Sequence, residues 1–327
     1  MGVRSLVFTN DFSPQPGSCD ILLQSGLTDK KISPVHLYLW GVLFAMYESW
    51  ITQVLWLGYN AQGPMVGTIL GIGIGEFVAL VFFWHPISSF MLPLLVFEML
   101  TLSVSSNTSE QRILPSHVPF LVKTKSNLKY IWILYVSGSL TMAVNYQGNI
   151  FLAATALGVT YGLIYLLYRK ARQYHTFSVY SLRVSKCGMT LMIIYLFILY
   201  SVMFIGYGYY GGRIPGLLPV ATTIVLYSVF GWIIVSSTPS EESVDIPVSL
   251  IENRFKVSDY RILAAFNILL ASGLCVLLHV LPELLMGAFL FFYLAFCIVG
   301  VYLFYKALRL RNKQAATYLK TKFTEMN

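Results

Sequence analysis

Three glutamates, Glu48, Glu76 and Glu98, fall inside stretches that are otherwise continuously apolar, such as AMYESWITQV at 45–54. A carboxyl group can hold or pass a proton or bind a cation, but in hydrocarbon its charged form costs about 2.5–3.5 kcal/mol on insertion scales. No Lys or Arg lies in the interior of any of the surrounding apolar runs. Three ionised carboxylates there would repel one another without a counter-charge, so the states open to them are protonation, a bound cation or a hydrated cavity. Two of these three states exchange protons or hold ions. The competing reading is a protonated glutamate that donates one hydrogen bond across a helix interface. It suits any one of them better than it suits all three.

Neighbouring residues set which way those side chains turn. Gly41, Ala45, Glu48 and Thr52 recur every three or four residues, a small and polar stripe of the kind that lets membrane helices approach closely. Gly67, Gly71, Gly75 and Ala79 repeat beside Glu76, while Pro93 precedes Glu98, and Thr101 and Ser105 extend its face. Short connections at NAQGP, 60–64, and at His85-Pro86 make the first three helices antiparallel neighbours. Counted from the expected outer helix ends at 1.5 Å per residue, the three carboxyl groups lie roughly 12–18 Å deep, in one slab of membrane. The expectation is a shared proton- or cation-binding cluster of Glu48, Glu76 and Glu98. Thr52, Thr101, Asn145, Asn149 and Asn267 are the candidates to line a cavity beside it. Ser137 and Thr141 read as interhelical hydrogen-bonding residues.

His36, His85 and His279 fall at expected outer helix ends, with Glu283 near the last. Imidazole and carboxylate suit several metals, which makes these three histidines the candidate metal ligands, although none pairs with another at helical i, i+3 or i, i+4 spacing. Interfacial histidine is the commoner role. There is no E-x-x-H, so the di-iron pattern of helix bundles is missing. GIGIGE at 71–76 has no preceding strand and lies inside an apolar run, so helix packing explains it better than phosphate binding. Cys19, Cys187, Cys275 and Cys297 show neither C-x-x-C nor metal spacing and read as packing residues. Asn107-Thr108-Ser109 matches the glycosylation acceptor pattern, yet it falls on the expected cytoplasmic side and reads as chance. The cofactor is left unknown.

The elements that must hold these residues follow from composition. The 327-residue chain is 57% hydrophobic and 11% charged, with mean hydropathy +0.69, where soluble domains carry about a quarter charged residues. Nine apolar runs are long enough to cross a hydrocarbon core: 36–59, 65–84, 87–106, 130–146, 149–168, 187–210, 215–236, 260–279 and 284–305. They are continuous rather than alternating, which means helices rather than barrel strands. Segments 112–129, 169–186, 254–261 and 306–322 carry 18 of the 22 Lys and Arg, and such residues collect in cytoplasmic loops. An odd number of helices puts the N-terminus outside; an even number would bring the N-terminal tail to the basic side and leave most of the alternation intact. The expected fold is all-α, a polytopic helical membrane protein of about nine transmembrane helices, N-terminus outside and C-terminus cytoplasmic. Its parts are an extracytoplasmic tail, 1–35, without a signal peptide, a transmembrane domain, 36–305, and a basic cytoplasmic tail, 306–327. The expected location is the cell membrane.

With the formal charge of +8 accounted for by orientation signals, no nucleic-acid partner is expected. Membrane lipids are, together with a small-molecule, proton or cation ligand, and the apolar run 284–305 faces lipid or a membrane protein partner. The loops 112–125 and 246–257 mix proline, apolar residues and charge, as segments resting on the inner surface do, and hold no Ser-His-Asp or Cys-His grouping. Three functions fit. The first is a transporter or permease-like protein in which carboxylate protonation drives helix rearrangement. The second is a lipid- or isoprenoid-modifying enzyme with glutamates as general acids. The third is a non-catalytic subunit of a membrane complex.

Overall fold

The computed structural model describes residues 31–59, 63–101, 112–171, 185–212, 214, 216–238, 246–247 and 250–325. The first helix, α1 (Pro34–Ala45), opens with Pro34 in its first turn, where a missing N–H costs nothing. Beyond it the chain does not continue as one span. It forms two short helices, α2 (Tyr47–Trp50) and α3 (Val54–Leu57), separated by Gln53 at a left-handed φ of 61°. A hairpin of two-residue strands follows, β1 (Thr68–Ile69) against β2 (Ile72–Gly73). Its tip is anchored where Thr222 donates to the Leu70 carbonyl at 2.9 Å.

The expected glycine ridge is therefore only partly helical: Gly67 and Gly71 belong to the hairpin, at φ of 93° and 79° that favour glycine. Nor is there a turn at His85-Pro86. Ile74–Glu76, Phe77–Met91 and Leu92–Thr101 run on as one helix, α4, whose central part is wound as a π-helix. Pro86 inside it has no N–H, and with π-helical bonds, which run five residues back, that leaves the carbonyl of Val81 without its backbone donor. Tyr38 Oη of α1 donates to the next carbonyl, that of Phe82, at 2.6 Å. Gly41 lies flat against the same proline, and a Cβ there would stand 2.6 Å from Pro86 Cα.

After β3 (Arg112–Ile113) and α5 (Val118–Leu121) come the long helices: α6 (Lys125–Asn145), α7 (Ile150–Ala171), α8 (Lys186–Val202, continuing as a π-helix Met203–Tyr210), α9 (Leu217–Val235), then β4 (Ile246–Pro247), α10 (Val257–Val280) and α11 (Pro282–Glu325). Among the described residues, five helices are long and apolar enough to cross a membrane: Ile74–Leu100, Ile150–Lys170, Leu217–Val235, Val257–Val280 and Pro282–Asn312, with a shorter apolar stretch at Thr190–Gly206. They pack as two groups. In one, α1, α4, α9 and α11 share a core that includes Val42, Leu80, Val81 and Ile234. In the other, α10 packs on α6 and α7. The two loops at the basic end are stitched together rather than lying apart: β3 pairs with β4, and Lys123 N donates to Asn253 O at 2.7 Å.

The expected separate spans at 65–84 and 87–106 thus meet in one helix, α4. Lys31 Nζ donates to the Val235 carbonyl at 2.7 Å, and Arg311 to Ser236 Oγ at 2.5 Å. The start of the described chain and the charged part of α11 thus meet at the same end of α9. The expected opposition of the two termini assumed a separate crossing at 87–106, which is part of α4. The physical reason is the proline: X-Pro marks a helix end in most settings, but a membrane bundle tolerates it inside a helix, where local π-winding and neighbouring helices accommodate the ring. Residues 1–30, the acceptor pattern at 107–109 and the side chains of 313–327 lie outside the described residues.

Candidate functional site

Each of the three glutamates is buried, yet they do not share one site. Glu76 and Glu98 stand near opposite ends of α4, about 30 Å apart at 1.5 Å per residue, and this corrects the expected single slab. Glu76 sits in the first turn of α4, where the helix dipole favours a negative charge. Its Oε1 accepts from Met65 N at 2.9 Å, tying down the loop before the hairpin. Its Oε2 has no hydrogen-bond partner among the described residues.

Glu48 and Glu98 have counter-bases after all, in histidines. His85 Nε2 lies 2.8 Å from Glu48 Oε1, both side chains nearly enclosed, at 7% and 8% exposure. Thr52 Oγ1 donates to Glu48 Oε2, and His85 Nδ1 is 3.0 Å from the hydroxyl of Ser89, one turn further along α4. A line of protonatable and hydroxyl groups results, Thr52–Glu48–His85–Ser89, whose Ser89 end is exposed. The rings of Phe44 and Tyr47 stand against the imidazole. At the basic end, His117 Nδ1 lies 2.7 Å from Glu98 Oε1 while its Nε2 donates to the Ile32 carbonyl at 2.8 Å. That histidine joins the loop, α4 and the segment before α1.

A cavity of about 880 Å³ lies at the seam between the two helix groups. The α4 wall is Trp84, Ser88, Leu92, Val96 and Leu100, every fourth residue, with Pro93 and Phe97 beside them, faced by α6, α7 and α10. Of the expected cavity residues, Asn145 and Asn267 line it; Thr52 is with Glu48 instead. Asn149 accepts from Leu152 N at 3.0 Å and so caps α7. The side chain of Thr101 lies outside the described residues. Asn267 is the organising polar group: its Oδ1 accepts from Tyr161 Oη at 3.0 Å and its Nδ2 donates to Ser139 Oγ at 2.7 Å. Ser139 is thus the cross-helix residue. Ser137 and Thr141, expected in that role, bond to carbonyls of their own helix, Leu134 O at 3.1 Å and Ser137 O at 2.9 Å.

The histidines proposed as metal ligands are engaged separately. His36 bonds Ser33 Oγ at 2.8 Å and Ser237 Oγ at 3.0 Å, His85 pairs with Glu48, and His279 Nε2 donates to Gly148 O at 3.2 Å. Gly148, at φ 76°, makes the α6–α7 turn, and a Cβ on it would stand 2.6 Å from that imidazole nitrogen. Among the described residues no group of three His, Cys, Asp or Glu is placed to hold a metal ion. The His85–Ser89 i, i+4 spacing was the readable signal for the Glu48 line, and it was hidden by placing a turn at 85–86.

The sequence profile described as "Uncharacterized membrane protein family" matches residues 21–319, and the chain belongs to that family. An "Uncharacterized protein" of Archaeoglobus fulgidus is 40% identical over 119 residues, which are 36% of this chain and 36% of that protein. The match thus spans about a third of the relative's length. No solved structure matches.

Proposed function

We propose that this member of an uncharacterized membrane protein family is a multi-pass carrier of the cell membrane, in which proton exchange at the Glu48–His85 pair is linked to a substrate chamber between the two helix groups. One observation carries the reading: α4 presents His85 to Glu48 on one face and Trp84 and Ser88 to the cavity on the next. Adding a proton to the carboxylate of this pair removes its charge and the electrostatic part of the attraction between α4 and the α1–α2 segment. In a low-dielectric interior that attraction is far stronger than in water. The wall of the chamber and the grip on α4 are then one element with two states, which is what coupling requires. Glu98–His117 is a second such pair at the basic end. We assign that end to the cytoplasm, from its Lys and Arg, and the N-terminal segment with it.

The enzyme reading is weaker on this geometry, because Glu48, Glu76 and Glu98 are all absent from the cavity lining. An acid that protonates a bound substrate must reach it directly or through one water. The carrier reading is tested in vesicles containing the purified chain and a pH-sensitive dye, across an imposed pH gradient. Parent protein is expected to dissipate the gradient, Glu48→Gln and His85→Gln to abolish the flux, and Glu76→Gln to retain it. Vesicles as tight as protein-free ones, or parental flux in Glu48→Gln, would overturn the reading.

A further inference from the structure

We infer that the cavity holds the hydrocarbon chain of an acidic lipid, with its anionic head at Lys170. The inference rests on this cavity being the carrier's chamber, and it names what the chamber takes. Three polar groups of the wall, Asn267, Thr141 and Thr160, are already engaged within the protein. Asn267 is taken by Tyr161 and Ser139, Thr141 bonds Ser137 O at 2.9 Å, and Thr160 bonds Ala156 O at 2.8 Å. An occupant with polar groups along its body would lose its hydration there without finding partners. The middle therefore suits hydrocarbon.

The ends differ. Lys170 lines the cavity at the basic end, where an ammonium group meets an acidic head at the membrane surface, and cytoplasmic leaflets are the ones rich in anionic lipid. Along α7 the lining runs from Leu157 to Lys170, about 20 Å at 1.5 Å per residue. That exceeds half of a ~30 Å hydrocarbon core. A chain entering from the basic side would fill the cavity up to the level of Trp84 and Asn145.

Gly138 gives the means to close the space. It lines the cavity, and a Cβ built on it meets no atom within 4 Å. Gly138→Leu consequently has room for its Cβ and adds bulk on the cavity wall. Native mass spectrometry of the full chain in detergent, with phosphatidylglycerol and phosphatidylcholine of identical acyl chains in competition, reads both parts of the inference. The parent is expected to retain phosphatidylglycerol in preference. Lys170→Gln should keep binding and lose the preference, and Gly138→Leu should lose both lipids. Arg169→Gln, off the cavity lining, should behave as the parent, with helix content checked by circular dichroism throughout. Should Gly138→Leu fail to fold, Thr141→Leu is the second blocking variant. Parental lipid retention in the blocking variant, or an undiminished preference in Lys170→Gln, would overturn the inference. Binding needs no gradient, so loss of proton flux with intact lipid preference would reject the carrier and leave this site standing.

Discussion

At the scale of single residues, two buried carboxylates are made tolerable by two histidines. Removing one partner of such a pair strands the other's charge, at about 3–5 kcal/mol, whereas removing both costs much less. His85→Ala is accordingly expected to destabilise the protein by that amount in chemical unfolding from detergent, and Glu48→Gln combined with His85→Gln by clearly less than the two single losses together. Additive losses would mean that the two groups do not interact. Glu48 was legible in the sequence as a buried acid, because a carboxylate amid 20 apolar residues stands out. Its base was not, because a histidine before a proline reads as a helix end. Glu76 was legible as buried but not in its role: holding Met65 N from the first turn of α4 depends on where that helix begins.

At the scale of elements, α4 stays one helix through Pro86 and is held to α1 there by a side chain. Tyr38 donates to the Phe82 carbonyl, next to the Val81 carbonyl that Pro86 leaves without its π-helical donor. Tyr38→Phe would remove that hydrogen bond, at about 0.5–1.5 kcal/mol. Unchanged stability of Tyr38→Phe in thermal unfolding would mean that the bond does not hold the two helices together. Gly41→Ala would place a methyl 2.6 Å from Pro86 Cα, and overpacking of this kind costs roughly 1–3 kcal/mol. The stripe of Gly41, Ala45 and Glu48 was readable from spacing, and all three are buried. The π-winding of Phe77–Met91 was not, since no spacing of residue types marks it.

At the scale of the whole molecule, the basic clusters of the loops converge: β3 pairs with β4, and His117 reaches Ile32 and Glu98. That sidedness was legible because Lys and Arg are excluded from hydrocarbon wherever helices begin and end. The continuity of α4 was not, because His85-Pro86 reads as a turn and lies inside the helix. With cysteines introduced singly into a cysteine-free background, Lys31→Cys and Asn312→Cys are expected to react with an impermeant thiol reagent from the same side of sealed vesicles, and Ile69→Cys from the other. Labelling of Lys31→Cys together with Ile69→Cys would contradict the fold.

The central claim, that Glu48 and His85 exchange a proton within the bundle, is tested most directly by difference infrared spectroscopy of the reconstituted protein through a pH titration. The account predicts a carboxylic-acid C=O band that appears as pH falls, is missing in Glu48→Gln, and shifts in its titration in His85→Gln. A spectrum without any titrating carboxyl band, or one that Glu48→Gln leaves unchanged, would contradict it.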